Sequence, residues 1–153
     1  MRQPNFKLGW FIPNQIVALT HPYAEITSDD FMGIVQTGQN LLAQVENEFH
    51  VIIDNRFVDM SSLASLNQMK QAVPYMNHPF LRWIIAVKPQ KLTLNVSDLP
   101  IEKDGQARLK NFTDLPEAIK FLRETVTEIQ WQYSYATFFP NINLSDVFLN
   151  KEK

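Results

Sequence analysis

Two kinds of hydrophobic spacing alternate along this chain, and their alternation most limits the fold that it can adopt. Residues 7–12 and 15–20 are short runs rich in β-branched and aromatic side chains, and Pro13 and Asn14 between them favour a turn. From Ser28 the apolar residues instead recur at steps of three and four, which is typical of an amphipathic helix. The sequence therefore predicts a hairpin followed by a helix.

The first predicted helix carries its apolar residues on one stripe, and Thr27 or Ser28 precedes the stripe as a capping residue. Asp29 and Asp30 then lie in the first turn, where the positive end of the helix dipole favours acids. We therefore expect this helix to pack its stripe against a sheet. The stripe consists of Phe31, Ile34, Val35, Gly38, Leu41, Leu42, Val45 and Phe49.

Strands and helices continue to alternate after this helix. Residues 50–56 predict a buried strand whose C-terminal end emerges at the surface, and residues 81–87, the most apolar run, predict a central strand. Residues 63–76 show helical spacing, and residues 107–112 alternate like an edge strand guarded by basic side chains. With a short unassigned element before that last strand, the order predicts an α/β fold. Its mostly parallel mixed sheet would have about five strands, with flanking helices and an opening antiparallel hairpin.

A final helix is predicted to begin at Thr113 and Asp114. Asp114 and Glu117 have the spacing of a capping box, and Pro116 sits in the first turn, where its missing N–H costs little. This helix would bury the apolar face formed by Leu115, Ala118, Ile119, Leu122, Val126 and Ile129.

A chain of 153 residues suffices for one hydrophobic core, so we expect a single α/β domain, over residues 7–128. An aromatic extension over residues 129–153 follows this domain. Trp131, Tyr133 and Tyr135 alternate in the extension, so in an extended conformation their rings project from one side. Large rings of this kind are expected to pack on the domain itself or in a homodimer contact.

Charge and residue usage exclude several classes of function. The 14 Lys and Arg residues are scattered among 16 Asp and Glu residues, giving a formal charge of −2, so the basic stripe of a nucleic-acid binder is missing. The absence of Cys excludes disulfides, thiolate metal sites and cysteine nucleophiles. The first residues lack the apolar run of a signal peptide, and no stretch approaches the length of a membrane span, so we expect a cytoplasmic protein.

The sequence contains no motif for catalysis or cofactor binding. Its 4 glycines form none of the glycine-rich nucleotide loops, and His21, His50 and His78 lack the spacing of metal ligands. Asp54 and Asp59 bracket the loop after a buried strand and are candidates for an acid/base pair or a Mg²⁺ site, but a solvated loop is the preferred interpretation. We therefore expect no enzymatic activity, no cofactor and no metal.

The order of the predicted elements resembles the STAS domain, the fold of sulfate transporters and anti-sigma-factor antagonists, and particularly its SpoIIAA-like branch. The resemblance covers residues 8–124 and rests on three segments, residues 25–31, 51–54 and 112–122. It implies a sheet flanked by helices. It also implies a switch or scaffold rather than an enzyme.

Anti-sigma-factor antagonists of this family carry an Asp-Ser-Ser-Gly loop before the second helix, and a partner kinase phosphorylates its second serine. The similar stretch here begins at Asp59, with Met60 in place of the first serine, Ser61 on the phosphorylated position and Ser62 in place of the glycine. The resemblance thus implies phosphorylation or partner contact at Ser61 and Ser62, with Asp54 and Asp59 nearby. From the residues alone, Ser61 and Ser62 are an ordinary helix N-cap.

Two hypotheses about function follow from this sequence. The first is a non-enzymatic protein-interaction or regulatory domain whose protein partner, of unknown identity, contacts residues 55–62 and the helix after them. The second is a carrier that binds a small apolar molecule or a lipid between the sheet and a helix.

Overall fold

A mixed β-sheet forms the centre of the computed structural model, which describes residues 5–58, 78–89, 102–104 and 107–145. The described strands are β1 (Lys7–Ile12), β2 (Ile16–Thr20), β3 (Phe49–Asp54), β4 (Leu81–Val87), β5 (Glu102–Asp104) and β6 (Ala107–Phe112). The described helices are α1 (Ser28–Leu42), α2 (Leu115–Thr125) and a 3-10 helix (Trp131–Tyr133). This architecture confirms the predicted α/β class, while the helix predicted over residues 63–76 lies outside the described residues.

The sheet contains 6 strands among the described residues, in the order β1-β2-β3-β4-β6-β5. β1 and β2 form the predicted antiparallel hairpin, in which Asn14 takes a φ of 64° and the Gln15 N–H donates to the Ile12 carbonyl at 3.0 Å. β2, β3, β4 and β6 run parallel to one another, and β4 lies inside the sheet as predicted.

β6 is an inner strand, which corrects the prediction that residues 107–112 form an edge. The three-residue strand β5 pairs antiparallel with β6 on its outer side, and such a short strand leaves too little pattern in a sequence to be recognised. The basic side chains of β6 cover aromatic rings instead of guarding an edge. The Arg108 guanidinium carbon lies 5.8 Å from the centre of the Trp83 ring, and Lys110 Nζ lies 5.4 Å from the centre of the Phe112 ring.

The two main helices begin in different ways. Thr27 caps α1 as predicted, in a reciprocal box: its hydroxyl accepts from the Asp30 N–H at 3.1 Å and its own N–H donates to Asp30 Oδ2 at 2.9 Å. Asp114 makes no such side-chain bond at the start of α2, so the capping box predicted there is wrong. Pro116 is in the first turn of α2 as predicted, where its fixed φ suits a helix start. Within the described residues, no helix is long and apolar enough to cross a lipid bilayer.

The sheet buries one face against α1 and the other against α2. α1 ends at Leu42, so Phe49, predicted on its stripe, instead begins β3. On the α1 face, Leu41 and Leu42 pack with side chains of four strands: Val17, Val51, Ile84 and Ala107. The α2 face is built around Ala18, Ile52, Ile85, Phe112, Leu115, Ile119 and Leu122.

The C-terminal segment completes the α2 face by packing around Phe11. The ring centre of Phe11 lies 6.4 Å from that of Trp131, 6.2 Å from that of Phe138 and 5.2 Å from that of Phe139. The Tyr135 N–H also donates to the Phe11 carbonyl at 3.0 Å. The buried side chains of this segment therefore belong to the core of the described domain, and they are Ile129, Trp131, Phe138, Phe139 and Leu144.

The three alternating rings of this segment do not form the one-sided row that we expected. Residues 131–133 form a 3-10 helix, which turns successive side chains around its axis instead of alternating them across a strand. Trp131 is buried, whereas Tyr133 and Tyr135 are 58% and 55% exposed.

Replacing Phe139 tests whether this segment contributes to the core. Phe139 is 1% exposed, so Phe139→Ala is expected to lower the free energy of unfolding by about 3–5 kcal/mol through lost burial and the cavity left behind. Tyr133→Ala is the matched control and is expected to change it by less than about 0.5 kcal/mol, because that ring is exposed. Urea unfolding of both variants measures the difference, and equal effects would contradict the packing described.

Candidate functional site

The carboxyl ends of β2, β3 and β4 meet at one edge of the sheet, which is where α/β proteins commonly bind ligands. Thr20, Asp54 and Val87 end the three strands and are register neighbours. Asp54, one of the residues singled out in the sequence, therefore occupies the middle of this edge. The other three candidates, Asp59, Ser61 and Ser62, lie outside the described residues.

Asp54 is fully buried, and both of its carboxylate oxygens are hydrogen-bonded. The Thr20 hydroxyl donates to Oδ2 at 2.7 Å. Arg56 donates from Nε to Oδ1 at 2.9 Å and from Nη2 to Oδ2 at 3.0 Å, a two-point pairing of guanidinium with carboxylate, and its backbone N–H adds a third bond to Oδ1 at 3.1 Å. The interpretation of Asp54 as part of a solvated loop is therefore wrong.

Arg56 connects this edge of the sheet to the C-terminal segment. Its Nη2 also donates to the Pro140 carbonyl at 2.8 Å, and its guanidinium carbon lies 4.8 Å from the centre of the Phe57 ring. The Arg56 side chain is only 16% exposed. One side chain thus holds the end of β3, the C-terminal segment and the turn after β3.

The turn over residues 55–58 is fixed by backbone bonds as well. The Asn55 N–H donates to the Val87 carbonyl of β4 at 2.8 Å, and the Val58 N–H donates to the Asn55 carbonyl at 3.2 Å. Asn55 and Val58 are buried, while Arg56 and Phe57 are half-buried. The chain therefore leaves β3 in a defined direction, with Phe57 half-buried next to the Arg56 guanidinium.

Asn5 organises a second buried polar group beside this edge, and no local pattern in the sequence singles it out. Its side-chain nitrogen donates to the Tyr23 and Glu25 carbonyls at 2.9 and 2.6 Å, and its side-chain oxygen accepts from the Tyr23 N–H at 2.7 Å. Its own N–H donates to Asp30 Oδ1 at 2.9 Å. Asn5 therefore joins the start of the described chain, the loop before α1 and the α1 cap.

His21 completes the Asn5 group. It follows β2 directly, and its Nδ1–H donates to the Asn5 carbonyl at 2.8 Å. Burial lowers the pKa of His21 below its usual value, against the opposing effects of the Asn5 bond and of the Asp54 and Asp30 charges. The ring is therefore neutral at physiological pH, and its buried Nε2 has no hydrogen-bond partner in the described structure.

His50 is a second buried histidine, near the other end of β3. Burial lowers its pKa from 6.5 to about 4, opposed by the Glu48 charge and assisted by the Arg82 charge. Its buried Nδ1 also has no partner within the described residues. His50 lies on β3 between Gln15 and Trp83, and no group of three metal-ligating side chains occurs in the described residues.

The chemistry available to Asp54 follows from these contacts. The two carboxylate oxygens of Asp54 accept four hydrogen bonds from Thr20 and Arg56, which occupy the lone pairs that a substrate would need. Asp54 thus positions Arg56, and the adjoining surface belongs to the turn after it.

Sequence reasoning missed Arg56 and Thr20 as parts of this site. A signal for Arg56 was available, because an aspartate often accepts a hydrogen bond from the backbone N–H two residues later in a turn, and here that residue is a base. Thr20 is brought to Asp54 only by the parallel pairing of β2 with β3. Its role can therefore be predicted only when the register of these two strands is known.

Comparisons with known proteins identify no relative of this chain, since no family model, no curated protein and no solved structure matches it.

The buried histidines predict acid-sensitive stability. In the unfolded chain His50 takes up a proton as the pH falls through 6.5, whereas in the folded protein it does so only near pH 4. Stability is therefore fully present above about pH 6.5 and is lost progressively down to about pH 4, by an amount on the order of 3 kcal/mol from His50.

Urea unfolding at about pH 7 and about pH 4.5 measures this loss, with His50→Leu compared against wild type. The variant is expected to lose about 2–3 kcal/mol less than wild type between the two pH values, because its unfolded state no longer gains that proton. Identical losses in the two proteins would show that His50 does not contribute.

Proposed function

We propose that the chain is a non-enzymatic protein-interaction or regulatory domain of STAS-like type that contacts its protein partner through residues 55–62. The single observation that carries this proposal is the fixed turn after β3. Buried Asp54 holds Arg56, Arg56 holds Pro140, and Asn55 is bonded to β4. The buried carboxylate at this edge serves to shape the surface.

A fixed turn suits a contact surface because its residues lose little conformational freedom on binding. Arginine and aromatic side chains are enriched among the residues that dominate binding energy at interfaces. Arg56 and the adjacent Phe57 supply this combination in half-buried positions. Partner contact at this turn therefore needs no rearrangement of the described fold.

The order of elements supports the STAS-like part of the proposal at the level of topology. An opening hairpin leads into parallel strands, with α1 following the hairpin and α2 following β6. In a domain of this kind the stretch from Asp59 to Ser62, which begins one residue after Val58, would be the phosphorylated segment. We place the phosphate on Ser61, with Ser62 as the neighbouring candidate, so that phosphorylation changes partner binding beside the turn.

One observation favours the alternative function, a carrier of a small apolar molecule or lipid. A shallow recess of about 400 Å³ opens at the end of α1, lined by Gln39, Leu42, Ala43, Val45, His78, Pro79 and Phe80. On the α2 face, by contrast, fully buried side chains such as Leu115 and Ile119 fill the space between the helix and the sheet. A carried ligand would therefore lie on the α1 side.

A photo-crosslinking experiment tests the proposed contact surface. The photoreactive amino acid p-benzoyl-phenylalanine replaces Phe57 in one protein and the exposed Tyr133 in the control, and both are expressed in the organism that carries this chain. We expect a discrete protein adduct from position 57 that is absent from position 133, and Ser61→Asp in the position-57 protein should change its amount.

Two results would contradict the proposal. Adducts that are absent or identical at the two positions would show that the turn is not the contact surface. A small apolar molecule retained by the purified protein in native mass spectrometry, and lost on Leu42→Arg, would favour the carrier.

A further inference from the structure

A small recess lies beside the amino end of β3, between the β1–β2 hairpin and the loop after α1. Its volume is about 170 Å³, and its lining residues are Trp10, Asn14, Gln44, Val45, Glu46 and Asn47. The turn over residues 55–58 follows the carboxyl end of β3, so the recess and the proposed contact surface lie at opposite ends of this strand. A role for the recess therefore goes beyond the proposed function.

The backbone around the recess is held by its own hydrogen bonds. Across the hairpin turn that carries Asn14, the Gln15 N–H donates to the Ile12 carbonyl at 3.0 Å. In the loop after α1, the Gln44 and Val45 N–H groups donate to carbonyls of the last turn of the helix, at 3.4 and 3.2 Å. Both walls of the recess are therefore formed in the free protein, which limits the conformational freedom lost when a ligand binds.

Four of the lining residues are polar and exposed. Asn14, Gln44 and Asn47 carry amides, and Glu46 carries a carboxylate. None of these four side chains makes a hydrogen bond or an ion pair with the described residues. Each amide offers two N–H donors and a carbonyl acceptor, whereas the carboxylate only accepts. The recess therefore provides donors and acceptors side by side.

Trp10 adds an aromatic wall to these polar groups. It is half-buried and packs with the hydrophobic side chains of the α1 face, so its position is held while part of the residue stays accessible. The face of an aromatic ring carries partial negative charge and attracts polarised C–H bonds. A ligand that suits this wall has a C–H surface on one side and polar groups at its margin.

The charges around the recess disfavour an anion. Among the described residues, no Lys or Arg lines it, and Glu46 is the charged lining residue. Gln44 to Asn47 also follow the C-terminal end of α1, which is the negative end of the helix dipole. A cation could use Glu46 and the indole, but it would leave the N–H donors of the amides without acceptors. The lining therefore fits a neutral ligand that both donates and accepts hydrogen bonds.

We propose that this recess binds the ring of a neutral sugar. The C–H face of the sugar packs on Trp10, and its hydroxyl groups, which both donate and accept, pair with the amides and with Glu46. The volume is smaller than the about 300–1,000 Å³ of pockets for drug-sized ligands, so the recess suits one sugar ring. Binding of so small a ligand is weak, with a Kd on the order of 1 mM.

An NMR titration of the isotope-labelled full chain tests this proposal. The probes are D-glucose, D-galactose, D-mannose and D-ribose, each added up to about 50 mM, well above the expected Kd. The chain has 3 Trp residues, and the buried Trp83 and Trp131 serve as internal references for the indole signal of Trp10. We expect at least one sugar to shift the Trp10 signal and the side-chain amide signals of Asn14 and Gln44 to saturation, while both references stay unchanged.

A double variant, Asn14→Gly with Gln44→Ala, removes two of the amides. Asn14 has a φ of 64°, which glycine adopts without strain, and Gln44 is exposed, so the fold is expected to persist. We expect this variant to bind the sugar about tenfold more weakly, because two hydrogen bonds are lost. The matched control is Gln36→Ala, at an exposed position on α1 outside the recess, and it should bind within about twofold of wild type.

Three results would overturn the proposal. The first is the absence of a saturable shift of the Trp10 signal with any of the four sugars. The second is equal sugar affinity in the double variant and the Gln36→Ala control. The third is a stronger response of the same signals to choline chloride or to sodium phosphate than to the sugars, which would assign the recess to a cation or an anion. Partner crosslinking at position 57 is measured separately, so failure of the sugar site and failure of the proposed function are distinguishable.

Discussion

The buried ion pair between Asp54 and Arg56 is the interaction on which the arrangement of this site depends. A carboxylate removed from water is costly unless its oxygens are fully bonded, and Asp54 is bonded by Thr20 from the neighbouring strand and by Arg56 from the turn. Arg56 also donates to the Pro140 carbonyl. The buried carboxylate of Asp54 on β3 therefore fixes the position of the turn that carries Arg56 and of the C-terminal segment. The position of the turn follows from this requirement, and so does the surface that we propose for partner contact.

The second constraint is the burial of the α2 face. α2 by itself covers only part of this face of the sheet. The rings of Trp131, Phe138 and Phe139 cover the part near the hairpin. Covering this face with the C-terminal segment also brings Tyr135 to the Phe11 carbonyl at the edge of β1. The same packing thus completes the core and satisfies a carbonyl of the edge strand β1.

Local patterns predicted the hairpin, α1 with its Thr27 cap, the inner strand β4 and the α2 helix, because each depends on residues close together in the chain. The errors arose where distant residues decide the structure. β6 became an inner strand because β5, which is 3 residues long, pairs outside it, and Asp54 became buried because Thr20 and Arg56 bond it. The buried role of Asn5 depends on carbonyl groups 18 and 20 residues away, which no local pattern reveals.

Native-state hydrogen exchange of Asp54→Asn tests most directly whether this ion pair unites the sheet with the C-terminal segment. Removing one charge leaves Arg56 unpaired, so the opening free energies of the Tyr135 and Leu144 amides and of the β3 amides are all expected to fall together, by about 3–5 kcal/mol. Asp29→Asn, at an exposed position in the first turn of α1, is the control and should lower them by no more than about 1 kcal/mol. Tyr135 and Leu144 amides that keep their wild-type exchange rates in Asp54→Asn would contradict the account.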